Sequence, residues 1–207
     1  NVNHGKLLKQ IWALGIQDKN LLSLISKMLK APIEENGERT TPTKGTPQGG
    51  VLSPLLANIV LNEFDWWIDS QWAGMIVQHP TKSDFTINKN GTPNRGNIYK
   101  KLRTSKLKEV FCVRYADDFK LFCKTYDHAV RLKKATEMWL SERLQLKTSE
   151  EKSKITNLKD GYSEFLGIKF KVYQKGNKWC IKSHMTDKSI NTQKIALKQH
   201  LIKACKD

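Results

Sequence analysis

Two adjacent carboxylates, Asp117 and Asp118, stand between short apolar runs at residues 110–113 and 119–123 in the stretch KEVFCVRYADDFKLFCKT. Neighbouring carboxylates repel, and a cation relieves that repulsion; hard divalent ions such as Mg²⁺ choose oxygen donors of this kind. Asp-Asp is also ordinary turn chemistry, so the pair alone leaves both readings open. Runs rich in Val, Phe, Tyr and Cys read as strands and Ala116-Asp117-Asp118 as a turn, which predicts a β-hairpin over residues 108–125 with the acids at its tip. A second stretch with chemical potential is Thr43-Lys44-Gly45-Thr46-Pro47-Gln48-Gly49-Gly50-Val51-Leu52-Ser53-Pro54. Its glycines let a base or a backbone approach the main chain closely, and Gln48 offers both a donor and an acceptor. An ordinary capped loop has the same composition.

The rest of the chain must position these residues. With 207 residues it is long enough for one sizeable core. Lys and Arg outnumber Asp and Glu 36 to 20, a formal charge of +16, which calls for a polyanionic partner, most often nucleic acid. The longest apolar stretch, residues 51–61, is interrupted by Ser53, Pro54 and Asn58 and is too short to span a membrane. Four cysteines without Cys-x-x-Cys spacing argue against zinc and read as reduced thiols of a cytosol-like compartment.

The first seventy residues read as helical. Leu7, Leu8, Ile11 and Trp12 share one predicted face; Leu21, Leu22, Ile25, Met28 and Leu29 share another, with Gly15 in the break and Pro32 after the end. Ser53-Pro54 predicts an N-cap and a proline in the first turn of a third helix, with Leu56, Ile59, Val60, Phe64 and Trp67 inward. Residues 74–108 are polar and aperiodic, ending in a basic run (Lys100, Lys101, Arg103, Lys106, Lys108) that is either solvated or laid on phosphates. A helix over 127–144 is predicted with Asp127 as its cap and Val130 or Leu132, Ala135, Trp139 and Leu140 inward. Residues 165–173 alternate and pair with 178–182 across Gly176-Asn177, and a basic helix closes the chain.

Taken together, the ordered pieces resemble the reverse transcriptases encoded by group II introns. Tyr115-Ala116-Asp117-Asp118 looks like their YADD box. The stretch from Gly45 through Pro47-Gln48-Gly49-Gly50 to Leu52-Ser53-Pro54-Leu55-Leu56-Ala57-Asn58 is similar to their loop-helix motif, in which the Gln-Gly pair lies against template–primer and nucleotide. Glu151-Lys152-Ser153 resembles the segment holding a lysine near the leaving pyrophosphate. Phe165-Leu166-Gly167 resembles the strand that grips the primer, and Asn1-Val2-Asn3-His4 matches the tail of the first palm motif.

The resemblance implies an α+β fold: a reverse transcriptase palm whose antiparallel sheet carries the YADD hairpin packed on helices, lacking most of the fingers and thumb. Residues 1–185 are assigned to the palm, and 186–207 to the start of a connection toward a thumb and maturase domain. The implied activity is RNA-directed DNA polymerisation, with a maturase role in splicing. The implied partners are an RNA template, a DNA primer, dNTPs and the intron RNA, and no membrane, in a bacterial or organellar cytoplasm. Two Mg²⁺ ions about 4 Å apart, with Mn²⁺ able to substitute, would clamp the attacking and leaving oxygens. Asp117 is the first choice of ligand and Asp118 the second. Lys152 is either a proton donor to pyrophosphate or a solvent-facing charge. Pro47, Gln48, Gly49, Gly50, Tyr115, Ala116, Leu166 and Gly167 are expected to touch nucleotide or template–primer.

The family takes a third metal-binding aspartate from a strand ahead of the position of Asn1, and no aspartate here ends an apolar strand in its place. The chain is therefore expected to be a fragment that binds nucleic acid weakly and incorporates no nucleotide by itself. A non-polymerising RNA-binding splicing factor is the alternative of a different class. A retron, diversity-generating or phage-defence reverse transcriptase would share the palm chemistry.

Overall fold

Side-chain caps start the two helices that open the chain. Asn3 accepts from the Lys6 backbone N–H at the head of α1, His4–Ala13. Asp18 accepts from Asn20 and Leu21 at the head of α2, Lys19–Leu29, so each cap satisfies donors the helix itself leaves unpaired. The computed structural model describes residues 2–35, 38–42, 44–45, 51–75 and 81–204. It divides into two compact units, Asn1–Glu150 and Glu151–Asp207.

In the first unit the buried faces are narrower than the apolar periodicity suggests. Leu7 and Ile11 are buried beside His4 and Gln10, while Trp12 is 41% exposed; in α2, Ile25 and Leu29 are buried and Leu21 and Met28 are not. Periodicity marks which residues can be buried, but the width of the covering neighbour decides how many are. A short antiparallel pair follows, β1 (Ile33–Glu35) with β2 (Glu38–Thr40). Helix α3, Ser53–Gln71, begins one residue earlier than expected: Ser53 is its first residue and Leu52 holds the cap position, with Pro54 in the first turn. It buries Leu56, Val60, Leu61, Phe64 and Ile68.

The polar region before the hairpin contains a 3₁₀ turn, Lys82–Phe85, and a helix, α4 (Gly96–Arg103), that its composition does not announce. Only Leu102 of α4 is fully buried, which leaves too little pattern to read. Tyr99 instead stacks on Trp72 at 5.1 Å, and Trp72 meets Phe111 edge-on at 5.1 Å. Within the basic run, Lys101 pairs with Asp84 at 2.6 Å and Arg103 with Glu109 at 3.0 Å, so these two charges are used inside the protein.

Strands β3 (Val110–Tyr115) and β4 (Asp118–Cys123) form the predicted hairpin. Helix α5, Tyr126–Trp139, is capped by Thr125 and not by Asp127, and turns Leu132 and Thr136 inward while Val130 is exposed. It runs into a π-type turn, Leu140–Leu144, that ends at Gln145 with φ 55°. Helix α3 serves both apolar clusters of the unit: Leu56, Val60 and Phe64 pack with Leu7, Ile11 and Leu144, and Ile68 packs with Trp72, Leu102, Val110 and Leu132.

The second unit is an antiparallel sheet in the order β5 (Ser163–Phe165), β6 (Ile168–Lys175), β7 (Lys178–Met185), followed by α6 (Asp187–Ala204). The Gly176-Asn177 turn joins β6 to β7 as predicted. Leu166 and Gly167, expected within a strand, form instead the two-residue turn between β5 and β6, both with positive φ (50° and 76°). Positive φ at both central residues is the backbone that matches the strand twist of a tight hairpin. The positive φ favours glycine at 167, and a Cβ there would lie 2.7 Å from Ser189 Oγ and oblige that hydroxyl to move. Helices with antiparallel sheets make this an α+β fold, as expected.

Candidate active site

The register of β3 and β4 pairs Tyr115 with Asp118 and leaves Ala116 and Asp117 as a two-residue turn. Ala116 has φ 52°, and Asp117 is not among the residues with positive φ. A turn with positive φ at its first central residue alone is of the II′ kind, which suits hairpin twist. Arg114 and Phe119 are directly paired and share the face toward α3, where Phe119 meets Phe64 at 4.8 Å. Alternation sends Tyr115 and Asp118 to the other face. Asp117 and Asp118 are exposed, and Tyr115 is 64% exposed.

What fixes this tip is Arg114, a residue sequence reasoning passed over. Its guanidinium donates from Nε to Asp65 Oδ1 at 2.7 Å and from Nη2 to Asp65 Oδ2 at 2.5 Å, a bidentate fork. Nη1 donates to Asn58 Oδ1 at 2.8 Å and to the Ala116 carbonyl at 2.6 Å. One side chain, 13% exposed, thus ties two points of α3 to the turn that carries Asp117. The hydrogen bond with Asp65, against the opposing effect of burial, raises the guanidinium pKa and keeps the charge in place. A signal was available: an arginine inside an apolar strand needs a buried partner, and Asn58 and Asp65, seven residues apart, fall on one helix face.

The thiol of Cys112, beside this brace, is pushed up to about 11 by burial, with the Asp65 charge adding to the effect. It is a neutral packing group at pH 7 and not a nucleophile. A cavity of about 440 Å³ behind β3 is bounded by Asp65, Asp69, Tyr99, Phe111 and Arg114; Asp117 and Asp118 do not line it.

Pro47, Gln48, Gly49 and Gly50 lie outside the described residues. The entrance to their loop is placed. Gly45 N donates to the Val2 carbonyl at 2.7 Å, His4 Nε2 lies 2.8 Å from the Gly45 carbonyl, and Asn3 and Lys44 form a β-bridge. The loop's exit is the start of α3, the helix that holds Arg114. Lys152, Leu166 and Gly167 belong to the second unit; Lys152 is exposed in a turn and Leu166 is exposed at its hairpin tip. Among the described residues, no group of three or more His, Cys, Asp or Glu side chains is gathered to hold a metal. The donor set at the tip is therefore two carboxylates, whose oxygens suit a hard divalent cation.

A sequence model of the family described as "Reverse transcriptase (RNA-dependent DNA polymerase)" matches residues 1–170. The chain belongs to the reverse transcriptase family. It is 32% identical over 165 residues to Protein YkfC of Escherichia coli (strain K12), covering 79% of this chain and 42% of that protein. It is 29% identical over 211 residues to the Group II intron-encoded protein LtrA of Lactococcus lactis subsp. cremoris, covering 85% of this chain and 34% of that protein. The chain thus spans less than half the length of these relatives. Among the described residues, no helix is long and apolar enough to cross a membrane.

Proposed function

We propose that this chain is the palm portion of a group II intron reverse transcriptase and maturase, an RNA-directed DNA polymerase that also binds its intron RNA. The observation that carries the reading is the braced hairpin tip, with Asp117 on the turn and Asp118 beside it, in a chain of the reverse transcriptase family. The name of the Lactococcus relative supports the group II assignment. Partners on this reading are an RNA template, a DNA primer, dNTPs and intron RNA, in a bacterial or organellar cytoplasm.

In this role Asp117 and Asp118 hold divalent metal, Mg²⁺ by preference. When bound, the metal lowers the pKa of the primer 3′-hydroxyl and neutralises charge on the triphosphate. Tyr115, exposed on the face of Asp118, supports the primer end, and Ala116 leaves room beside the strand. Arg114 acts through the turn as a positioning residue. Pro47, Gln48, Gly49 and Gly50 contact template–primer and nucleotide, Leu166 and Gly167 contact the primer, and Lys152 faces the leaving pyrophosphate.

The test is primer extension on an RNA template with Mg²⁺, using the longest form of the protein its gene encodes. Asp117→Ala is expected to lower extension at least about a hundredfold, two decades of rate being about 2.7 kcal/mol of transition-state stabilisation, with RNA binding retained. Extension at the unmodified rate would remove Asp117 from the metal site.

A further inference from the structure

The β5–β6–β7 sheet places like charges directly opposite one another. Lys171 is paired with Lys182 and Lys175 with Lys178, and Tyr173 with Cys180 lies between them. Directly paired residues share a face, and alternation keeps 171, 173 and 175 together on it. Like charges in this relation destabilise a sheet, yet two such pairs stand about 14 Å apart along one strand, at about 3.4 Å per residue. Elsewhere on the same face the protein neutralises its lysine: Lys169 meets Asp187 at 2.9 Å and is cross-strand to Glu164. No such partner serves the other four. Among the described residues, Lys171, Lys175, Lys178 and Lys182 form no ion pair.

Aromatic rings lie between these charges. Tyr173 is 39% exposed. Tyr162 stands beside the face with Lys171 Nζ 5.1 Å from its ring centroid and His184 against its ring. The opposite face carries Ile168, Phe170, Val172 and Ile181 together with Trp179, whose ring lies 4.4 Å from Lys159 Nζ, so the two cross-strand lysine pairs and Tyr173 share one side while a separate cation–ring contact lies on the other. Exposed rings between cations on a sheet are what a flexible polyanion with flat bases requires: cations for the phosphates, rings for stacking.

We propose that this face binds a single-stranded RNA segment, with phosphates against the Lys171–Lys182 and Lys175–Lys178 pairs and a base stacked on Tyr173. The inference rests on the reading of the protein as one that works on RNA, and it adds an RNA-binding surface in the second unit to the hairpin of the first.

The test measures binding of a fluorescent single-stranded RNA, and of the same RNA annealed to its complement, by the longest form of the protein its gene encodes. Neutralising two lysines (K178Q with K182Q) is expected to weaken single-strand binding at least about tenfold. It should also flatten the log–log salt dependence by about 0.7 for each phosphate that the variant no longer neutralises. The same pair is expected to raise the melting temperature of the free protein, because the repulsion is relieved. Tyr173→Ala is expected to weaken single-strand binding roughly tenfold with the duplex unaffected, and Tyr173→Phe to restore it, as stacking requires. Unchanged single-strand binding in these variants, when the unmodified protein binds, overturns the proposal for this face. Equal loss on single strand and duplex from Tyr173→Ala also overturns it. If the unmodified protein binds no RNA, the functional reading itself falls.

Discussion

At the residue scale, the chemistry of the hairpin depends on a side chain that does none of it. Arg114 satisfies a carboxylate, an amide and a main-chain carbonyl at once, and only a guanidinium has donors placed for all three. A lysine would keep one charge beside Asp65 and lose the fork and the hold on Ala116. Arg114→Lys is therefore expected to lower unfolding free energy by about 1–3 kcal/mol, read by denaturant titration. In the proposed reaction it should lower single-nucleotide extension more than it changes RNA binding. A variant with unmodified stability and extension would show that the brace is incidental. Ala116, held at positive φ, shows how tightly this turn is determined: a glycine would adopt the conformation without strain, and the surrounding bonds hold an alanine there instead.

At the element scale, α4 is held onto the first unit by a ring stack and an ion pair and by little apolar burial of its own. Asp84, with its side chain 1% exposed, accepts from Lys101 Nζ at 2.6 Å and from the Thr81 backbone at 2.6 Å. The Lys101 hydrogen bond, with the Thr81 backbone bond next, holds the Asp84 carboxyl below its ordinary value. A carboxyl depressed in the folded state contributes stability above the unfolded pKa, about 3.9, and loses it as pH falls through the folded value. The packing of α4 is thus expected to be intact at pH 5–8 and to loosen on acidification below about 4. Near-ultraviolet circular dichroism of the Trp72–Tyr99 stack reports it. Asp84→Asn should be looser at pH 7 and lose much of the acid dependence; a variant with the same acid profile as the unmodified protein would place the transition elsewhere.

At the scale of the whole molecule, the excess of 36 basic over 20 acidic residues matters through where the charges are spent. Lys101, Arg103, Arg114, Lys124, Arg143 and Lys169 are committed to carboxylates within the fold. The lysine pairs of the second unit are not. RNA binding by the protein should accordingly weaken at least about tenfold between 50 and 200 mM salt, the loss expected from three or more neutralised single-strand phosphates, measured by fluorescence anisotropy. Affinity that barely changes over this range would mean that the surplus charge does not face phosphate.

The hairpin, its two acids and the Gly176-Asn177 turn were legible in the sequence because strand alternation and two-residue turns are local: a few contiguous residues determine register and tip. The order of motifs was legible for the same reason and sufficed for the family. Helix starts were read only to within a residue or two, since Thr125 caps where Asp127 was expected and Leu52 precedes Ser53. A strand was expected at Leu166-Gly167, where Ser189 of α6 and a positive-φ backbone make a turn. The sequence by itself determined the chemistry available, namely paired carboxylates, a polymerase motif order and a large positive charge. Only the tertiary structure decided which charges are neutralised and which remain for a partner. Arg114 finds Asp65 across 49 positions of chain, and no local pattern encodes which distant carboxylate a cation will meet.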